Sequence, residues 1–260
     1  MKVAAVGFCC MDVYEELDRC YPTGNGVDFA MNLSKLGIQA SIVSVVGDDT
    51  NGATVTKALQ QAGLDVSHLR RVKGRTATIQ MRLERGNRVH GEEDEGVMAN
   101  FHLMEDDISF IQQHDVIHTD LFGRVYGLLP ELKMGGAIVV FDFSVFIEDK
   151  DIGRILPHVD YAFCSYSHRD PYIEGFLKTA QSLGPRAAIA MLGENGSLCY
   201  DGKSFLEEDI VKTRVENTAG AGDAYIAGFI GGVIGGKGLQ ECMRTGSAMA
   251  SAVISKFEPY

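Results

Sequence analysis

Short runs of valine, isoleucine and alanine recur along the chain, separated by segments in which apolar residues return every three or four positions. The runs at 3–6, 137–143, 161–164 and 187–192 are apolar at nearly every position, and 41–46 and 116–119 carry two polar residues each. Runs of that length and continuity predict strands buried on both faces, as in a parallel sheet. Segment 27–36 sets Val27, Ala30, Met31 and Ser34 on one helical face and stops at Gly37. Segment 54–62 does the same with Val55, Leu59 and Ala62 before Gly63. Glycine just past the last periodic residue ends a helix because it adopts the left-handed conformation without steric cost. A further helix is predicted over 239–257 from Leu239, Cys242, Met243, Gly246, Ala250, Val253 and Ile254. Strands alternating with helices predict an α/β fold assembled from βαβ units.

Two stretches depart from that alternation. Residues 76–90 place Ile79, Met81 and Leu83 on one side of a period-two pattern, then give way to Gly91-Glu-Glu-Asp-Glu-Gly96. Such a pattern, with one polar face, predicts a half-exposed antiparallel strand. Residues 13–17, with Val13, Glu15 and Leu17 on one side, predict a second. Together they predict a small sheet projecting from the main body. No internal repeat or low-complexity linker divides the 260 residues, so one large domain is expected.

Composition removes several function classes. Hydrophobic residues at 45% and charged residues at 23% exclude a disordered chain. The 24 basic against 35 acidic residues leave a net charge of −11 at pH 7, which repels phosphate backbones and anionic lipid. Nucleic acid and membrane partners are therefore not expected. The six cysteines show no CxxC or CxH spacing, so they are expected to be reduced and mostly buried, with no structural zinc. The longest apolar run, 225–236, is too short to span a bilayer and holds five glycines. A cytoplasmic protein is expected. No GxSxG elbow is present to support serine hydrolysis.

The most informative segment is Asn217-Thr-Ala-Gly-Ala-Gly-Asp223, followed by the apolar segment 224–234. Glycines just before a helix let backbone come close to an anion, which the free N–H groups of the first turn and the helix dipole then favour. The transferring phosphate of a nucleotide suits that cradle. Asp223 would repel it, and so has two readings. Either it orients an acceptor hydroxyl and takes its proton during phosphoryl transfer, for which an ordinary pKa near ~4 would serve. Or it is a first-turn acidic residue that complements the helix dipole.

Those seven residues resemble the C-terminal signature of the ribokinase, or PfkB, family of carbohydrate kinases, D-T-x-G-A-G-D. Gly7 followed by Asp12 resembles that family's first strand and its sugar-binding Asp. Gly24-Asn-Gly-Val-Asp-Phe-Ala30 with Leu36-Gly37 resembles its G-G-x-x-x-N-x-A…L-G motif, and Val46-Gly-Asp-Asp49 with Gly52 its V-G-x-D-x-x-G. Gly193-Glu-Asn-Gly196 resembles its G-x-x-G nucleotide loop. The resemblance implies a ribokinase-like α/β/α sandwich with a small β-sheet lid, a single kinase domain over 1–260 with lid strands at about 12–22 and 75–100. It implies a sugar substrate, ATP as donor and Mg²⁺ as counterion. It also implies a homodimer through the lid, which the apolar face of 76–83 would permit. By the same resemblance Asp223 is the base, and Gly220, Ala221 and Gly222 form the anion hole. Asp12, Gly24, Asn25 and Asp28 line the sugar pocket, while Ser165, Gly193, Gly196 and Thr218 lie beside the nucleotide.

Within the family, Gly91 through Glu95-Gly-Val-Met-Ala-Asn-Phe101, Phe141-Asp-Phe-Ser144 and Leu192-Gly-Glu-Asn-Gly-Ser197 resemble the bacterial fructoselysine 6-kinase branch. Those enzymes phosphorylate the 6-hydroxyl of the Amadori product of glucose and lysine, which carries a secondary ammonium beside a ketose. Glu92, Glu93, Asp94 and Glu95 are expected to face that cation, with Glu95 the chosen residue, and Arg88 to face the carboxylate or the transferred phosphate. The competing reading of the acidic run is a solvated turn. Two other functions stay open, a kinase for a plain ketose or sugar acid and a degenerate sugar-binding regulatory protein. Departures from the family pattern support the latter. Thr23 and Asp28 stand where the family has Gly and Asn, and Asn217 replaces the signature's leading Asp, removing a charge expected near the phosphates and Mg²⁺. The family's N-x-x-E metal motif reads Ser165-Tyr-Ser-His168, so no metal ligand is assigned.

Overall fold

The continuous apolar runs become the centre of a large sheet, because side chains on both of their faces are covered by helices. The structure, a computed structural model, describes residues 1–85 and 87–260. Among these the strands are β1 (Lys2–Val6), β2 (Cys10–Tyr14), β3 (Arg19–Thr23), β4 (Gln39–Gly47), β5 (Asp65–Val72), β6 (Ala77–Glu84), β7 (Asn87–Asp94), β8 (Val116–Asp120), β9 (Ile138–Asp142), β10 (Tyr161–Ser165), β11 (Ala187–Met191), β12 (Ser197–Tyr200) and β13 (Phe205–Glu208). The helices are α1 (Asn25–Lys35), α2 (Thr50–Gln61), α3 (Glu105–Ile111), the single turns α4 (Leu129–Leu132) and α5 (Ile152–Ile155), α6 (Pro171–Ser182), α7 (Ala221–Ile234) and α8 (Leu239–Ile254).

The main sheet runs β13-β12-β11-β10-β9-β8-β1-β4-β5 and is parallel from β11 to β5, with β12 and β13 antiparallel at one edge. Side chains alternate across it. Val3, Val140, Phe163 and Ile189 meet α1, α2, α7 and α8 on one face. Val139, Phe141, Ala162 and Ala188 meet α5 and α6 on the other. Helices α7 and α8 cross closely at Gly228, where a Cβ would sit 2.6 Å from the Thr245 carbonyl oxygen. None of the described helices is long and apolar enough to cross a membrane.

The second sheet, β3-β2-β6-β7, is the projecting lid. Here the sequence pattern is only half right. Residues 76–90 are two strands, since the chain reverses after Glu84 with Arg85 at φ +53°. The acidic run therefore lies largely in β7 and not in a turn. Residues 13–17 split as well. The strand ends at Tyr14, and Glu15 to Leu17 form a single 3₁₀ turn closed by Asp18 at φ +49°. The apolar side of β6 is already covered inside the chain, because Ile79, Met81 and Leu83 pack with Tyr14, Tyr21 and Phe257.

Candidate active site

The C-terminal ends of parallel strands are where an α/β sheet leaves room for ligands. Here β8 and β9 end on Asp120 and Asp142, which are register partners and both buried. Helix α7 begins above them. Gly220 takes φ +70° against Pro259, a conformation open to glycine, and Ala221, Gly222 and Asp223 form the first turn. Asp223 is 8% exposed. Helix α1 begins opposite, at Gly24 (φ +127°), whose α-carbon lies against the Phe8 carbonyl. Asn25 opens that helix, and Asp28 sits in its first turn at 2% exposure. The Thr23 hydroxyl donates to Asp28 Oδ2 at 2.7 Å, while Asp28 Oδ1 has no partner. Asp12, on β2 of the lid, is 4% exposed, and its carboxyl group makes no hydrogen bond or ion pair among the described residues.

Among the described residues five carboxyl groups thus surround one recess, and a single cation, Arg88 of β7, acts on Asp12, Asp28, Asp142 and Asp223. The Arg88 backbone N–H reaches Thr218 Oγ1 at 3.3 Å, so the lid touches the glycine cradle directly. Burial raises the pKa of every member, because a low-dielectric site disfavours charge. Asp120 is pushed up to about 7 by burial and by neighbouring Asp142, against the Gly123 N–H. Asp142 rises to about 6 through burial, held back by the Ser144 N–H and Arg88. Asp223 is raised well above the ordinary carboxylate range by burial and Asp142, with Arg88 opposing. An ordinary pKa would have served a base that works by position, but burial gives Asp223 a raised one.

These shifts have a consequence for stability. Asp12 is pushed up to about 7 by burial, so it holds its proton more tightly folded than unfolded. Its protonated form favours the fold at low pH, and that contribution is lost as pH rises through about 7. Asp12→Asn removes the penalty. Its melting temperature relative to the parent is expected to climb by a few degrees between about pH 5 and about pH 8. Thermal melts across that range check this, and a difference independent of pH would contradict it.

Other expected site residues fare differently. Glu95 is not a free lid carboxylate, because it is ion-paired with Arg124, and Asp94 pairs with Arg75 at 2.7 Å. The side chain of Asn217 is turned into the interior, toward Phe257, Tyr14 and Tyr21. It is 1% exposed, its amide donates to Phe257 O at 2.9 Å and to Tyr14 Oη at 3.3 Å, and its Oδ1 accepts from Ala219 N. A charge at this position would be enclosed by Phe257, Tyr14 and Tyr21. Ser165 lines an open cleft of about 990 Å³ with Phe146, Glu148, Tyr166, Ser167 and Tyr172. Gly193 and Gly196 make the turn between β11 and β12, where Gly196 (φ +81°) is pressed against the Glu208 carbonyl. The sequence reading missed Asp120, and cited Asp142 only as part of a matching block. An aspartate at or just past the end of a predicted buried strand is the signal that would have found both.

The profile of the pfkB family of carbohydrate kinases matches residues 2–131 and 144–260. A fructoselysine 6-kinase of Shigella flexneri is 35% identical over 97% of both chains. A fructosamine kinase of Bacillus subtilis is 33% identical over 88% of this chain and 82% of its own. The structure of an Arabidopsis thaliana ribokinase complexed with ribose and ATP superposes with a TM-score of 0.81 at 19% identity, covering 98% of this chain and 92% of that one.

Proposed function

The chain belongs to the pfkB family of carbohydrate kinases, and from that premise we propose that it transfers the terminal phosphoryl group of ATP to the 6-hydroxyl of fructoselysine or a related fructosamine. The observation that carries the chemistry is Asp223, buried in the first turn of α7 behind Gly220, Ala221 and Gly222 and faced by Asp28, Asp142 and Arg88. The substrate class is supported by the relatives that act on fructosamines and by the excess of carboxyl groups around the recess, which favours a cationic acceptor.

Asp12 and Asp28 hold the sugar hydroxyls. Asp223 in its ionised form accepts the proton of the attacking hydroxyl, and the N–H groups at the start of α7 stabilise charge on the transferring phosphoryl. Arg88 counters the repulsion between that phosphoryl and the carboxylates. Asp120 and Asp142 fit the Mg²⁺ carried with the nucleotide, since Asp120 Oδ2 is buried without a partner beside Asp142. Mg²⁺ would neutralise developing phosphate charge. Ser165, Thr218, Gly193 and Gly196 bound the nucleotide side. A cytoplasmic location goes with ATP and a soluble sugar. A dimer through the lid would have to use its polar outer face or its edges, because the apolar face is covered.

ADP release with Mg²⁺-ATP over fructoselysine, other fructosamines, fructose, ribose and 2-keto-3-deoxygluconate tests the reading. Release that depends on a fructosamine is expected. Release with plain sugars alone would make this a simple ketose kinase, and none with any acceptor would leave a sugar-binding protein.

The raised pKa of Asp223 also sets the pH profile. The base must be ionised, so the acid limb of kcat/KM is expected above the usual carboxylate range. Arg88 lowers the pKa of Asp223, so Arg88→Met should carry that limb to higher pH. A limb that stays put or moves to lower pH in the variant would separate Arg88 from the base.

A further inference from the structure

Side chains of residues paired across adjacent strands point to the same face of a sheet. Asp12 of β2 pairs with Ile79 of β6, and Ile79 pairs with Glu93 of β7. Asp12, Ile79 and Glu93 therefore form one rung on the face of the lid that looks into the recess. The Glu93 charge also acts on the buried Cys10 thiol, two residues from Asp12 on the same face.

A bulge puts Glu93 there. The partners of Ile79, Met81 and Leu83 are Glu93, His90 and Arg88, so Gly91 and Glu92 are accommodated opposite Gln80 and the alternation of β7 changes phase. Arg88, His90 and Glu93 consequently share the inner face. Asp94 falls on the outer face with Arg75, and Glu95 lies beyond the strand with Arg124. Of the acidic run, Glu93 alone combines the inner face with the lack of an ion pair among the described residues.

The inner face of β7 is thus polarised along its length. Arg88, at one end, acts on Asp223, where the acceptor hydroxyl is activated. Glu93 is at the other end, across one strand from Asp12. Asp12 is more than nine-tenths buried without a partner, and Asp28 Oδ1 beneath it is likewise unpartnered. Among the described residues the charge of Arg88 reaches Asp12 and Asp28 as well, but no cation is paired with Glu93 or Asp12 themselves. In a 1-amino ketose the ammonium at C1 and the hydroxyl at C6 lie at opposite ends of the carbon chain, which matches that polarity.

We propose that Glu93 reads the substrate's secondary ammonium, sharing it with one oxygen of Asp12 while the other holds a sugar hydroxyl, and that Glu93 sets the preference for a fructosamine over the parent ketose. This rests on the fructosamine reading above. Glu93 is exposed, so its substitution carries little folding cost. Steady-state kinetics of wild type and Glu93→Gln with fructosyl-lysine and with fructose test it. A hydrogen bond between charged groups at a partly exposed site is worth a factor of about ten. Glu93→Gln is expected to raise KM for fructosyl-lysine by about tenfold, and to lower the fructosyl-lysine to fructose ratio of kcat/KM by a similar factor. Glu93→Lys should lower the ratio further, and Glu92→Gln, in the bulge, should leave it in place. An unchanged ratio in Glu93→Gln, in an enzyme that does use fructosyl-lysine, overturns the subsite alone. A wild-type enzyme that uses fructose and no fructosamine overturns the fructosamine reading and the subsite with it.

Discussion

Asp223→Asn is expected to lower kcat by about 10³-fold while ATP affinity holds or improves. The amide fills the same volume in the first turn of α7 but has no lone pair basic enough to take the acceptor proton. Its neutral charge also removes a repulsion between Asp223 and the phosphoryl group arriving at the cradle, so calorimetric titration with nucleotide should show binding retained. The alternative role, a first-turn acid complementing the helix dipole, predicts something different. Such a residue is worth about 0.3–1 kcal/mol of stability and nothing in turnover. Its burial beside Asp142 and Asp120 argues against even that gain, because those neighbours push its pKa up and the ionised form is crowded. A kcat within tenfold of the parent, together with a lowered melting temperature, would take Asp223 out of the chemistry.

The centre of the fold was legible because it is monotonous. Strands β1, β4, β8, β9, β10 and β11 are covered on both faces, so most of their positions are apolar and continuity marks them, with Ser41, Ser44, His118 and Thr119 among the exceptions. Of the strands with a wet face or a free edge, β6 was marked by its alternation and others were lost. Asp-Val-Ser-His-Leu-Arg-Arg-Val in β5 and Asn-Arg-Val-His-Gly-Glu-Glu-Asp in β7 have little apolar pattern, and the bulge at Gly91 and Glu92 breaks what alternation β7 has. The same division runs through the site. The cradle and Asp223 are contiguous in the chain, and their spacing carries their chemistry. Asp120 and Asp142 stand side by side only because β8 and β9 pair in one register, and Glu93 faces the recess only because the bulge shifts its phase. A run of four acidic letters says nothing about which of them faces inward.

Asn217→Asp restores the leading residue of the family signature, and is nevertheless expected to damage the protein. If residue 217 stood beside the phosphates, a carboxylate there would tighten Mg²⁺ binding and raise turnover. Its surroundings predict the opposite sign. The Asn217 amide donates to Phe257 O at 2.9 Å, to Tyr14 Oη at 3.3 Å and, at the limit, to Tyr21 Oη at 3.5 Å. It thereby ties β2 and β3 of the lid and the C-terminal segment to the residue that opens the cradle. A carboxylate keeps the bond from Ala219 N but sets an oxygen against the Phe257 carbonyl, with no solvent to relieve it. Leaving a buried acceptor opposed in this way costs about 1–3 kcal/mol, and more when the group is charged. The protonated acid can donate to Phe257 O, so the loss should be small near pH 5 and grow toward about pH 8. Melts at both pH values and kcat at the higher one are the measurements. Thr218 and Gly220 follow directly and Arg88 contacts Thr218, so a loosened clip should also lower kcat by about tenfold, with the discrimination between acceptors little changed. A variant as stable as the parent at about pH 8, or one that turns over faster, would place residue 217 on the nucleotide side after all.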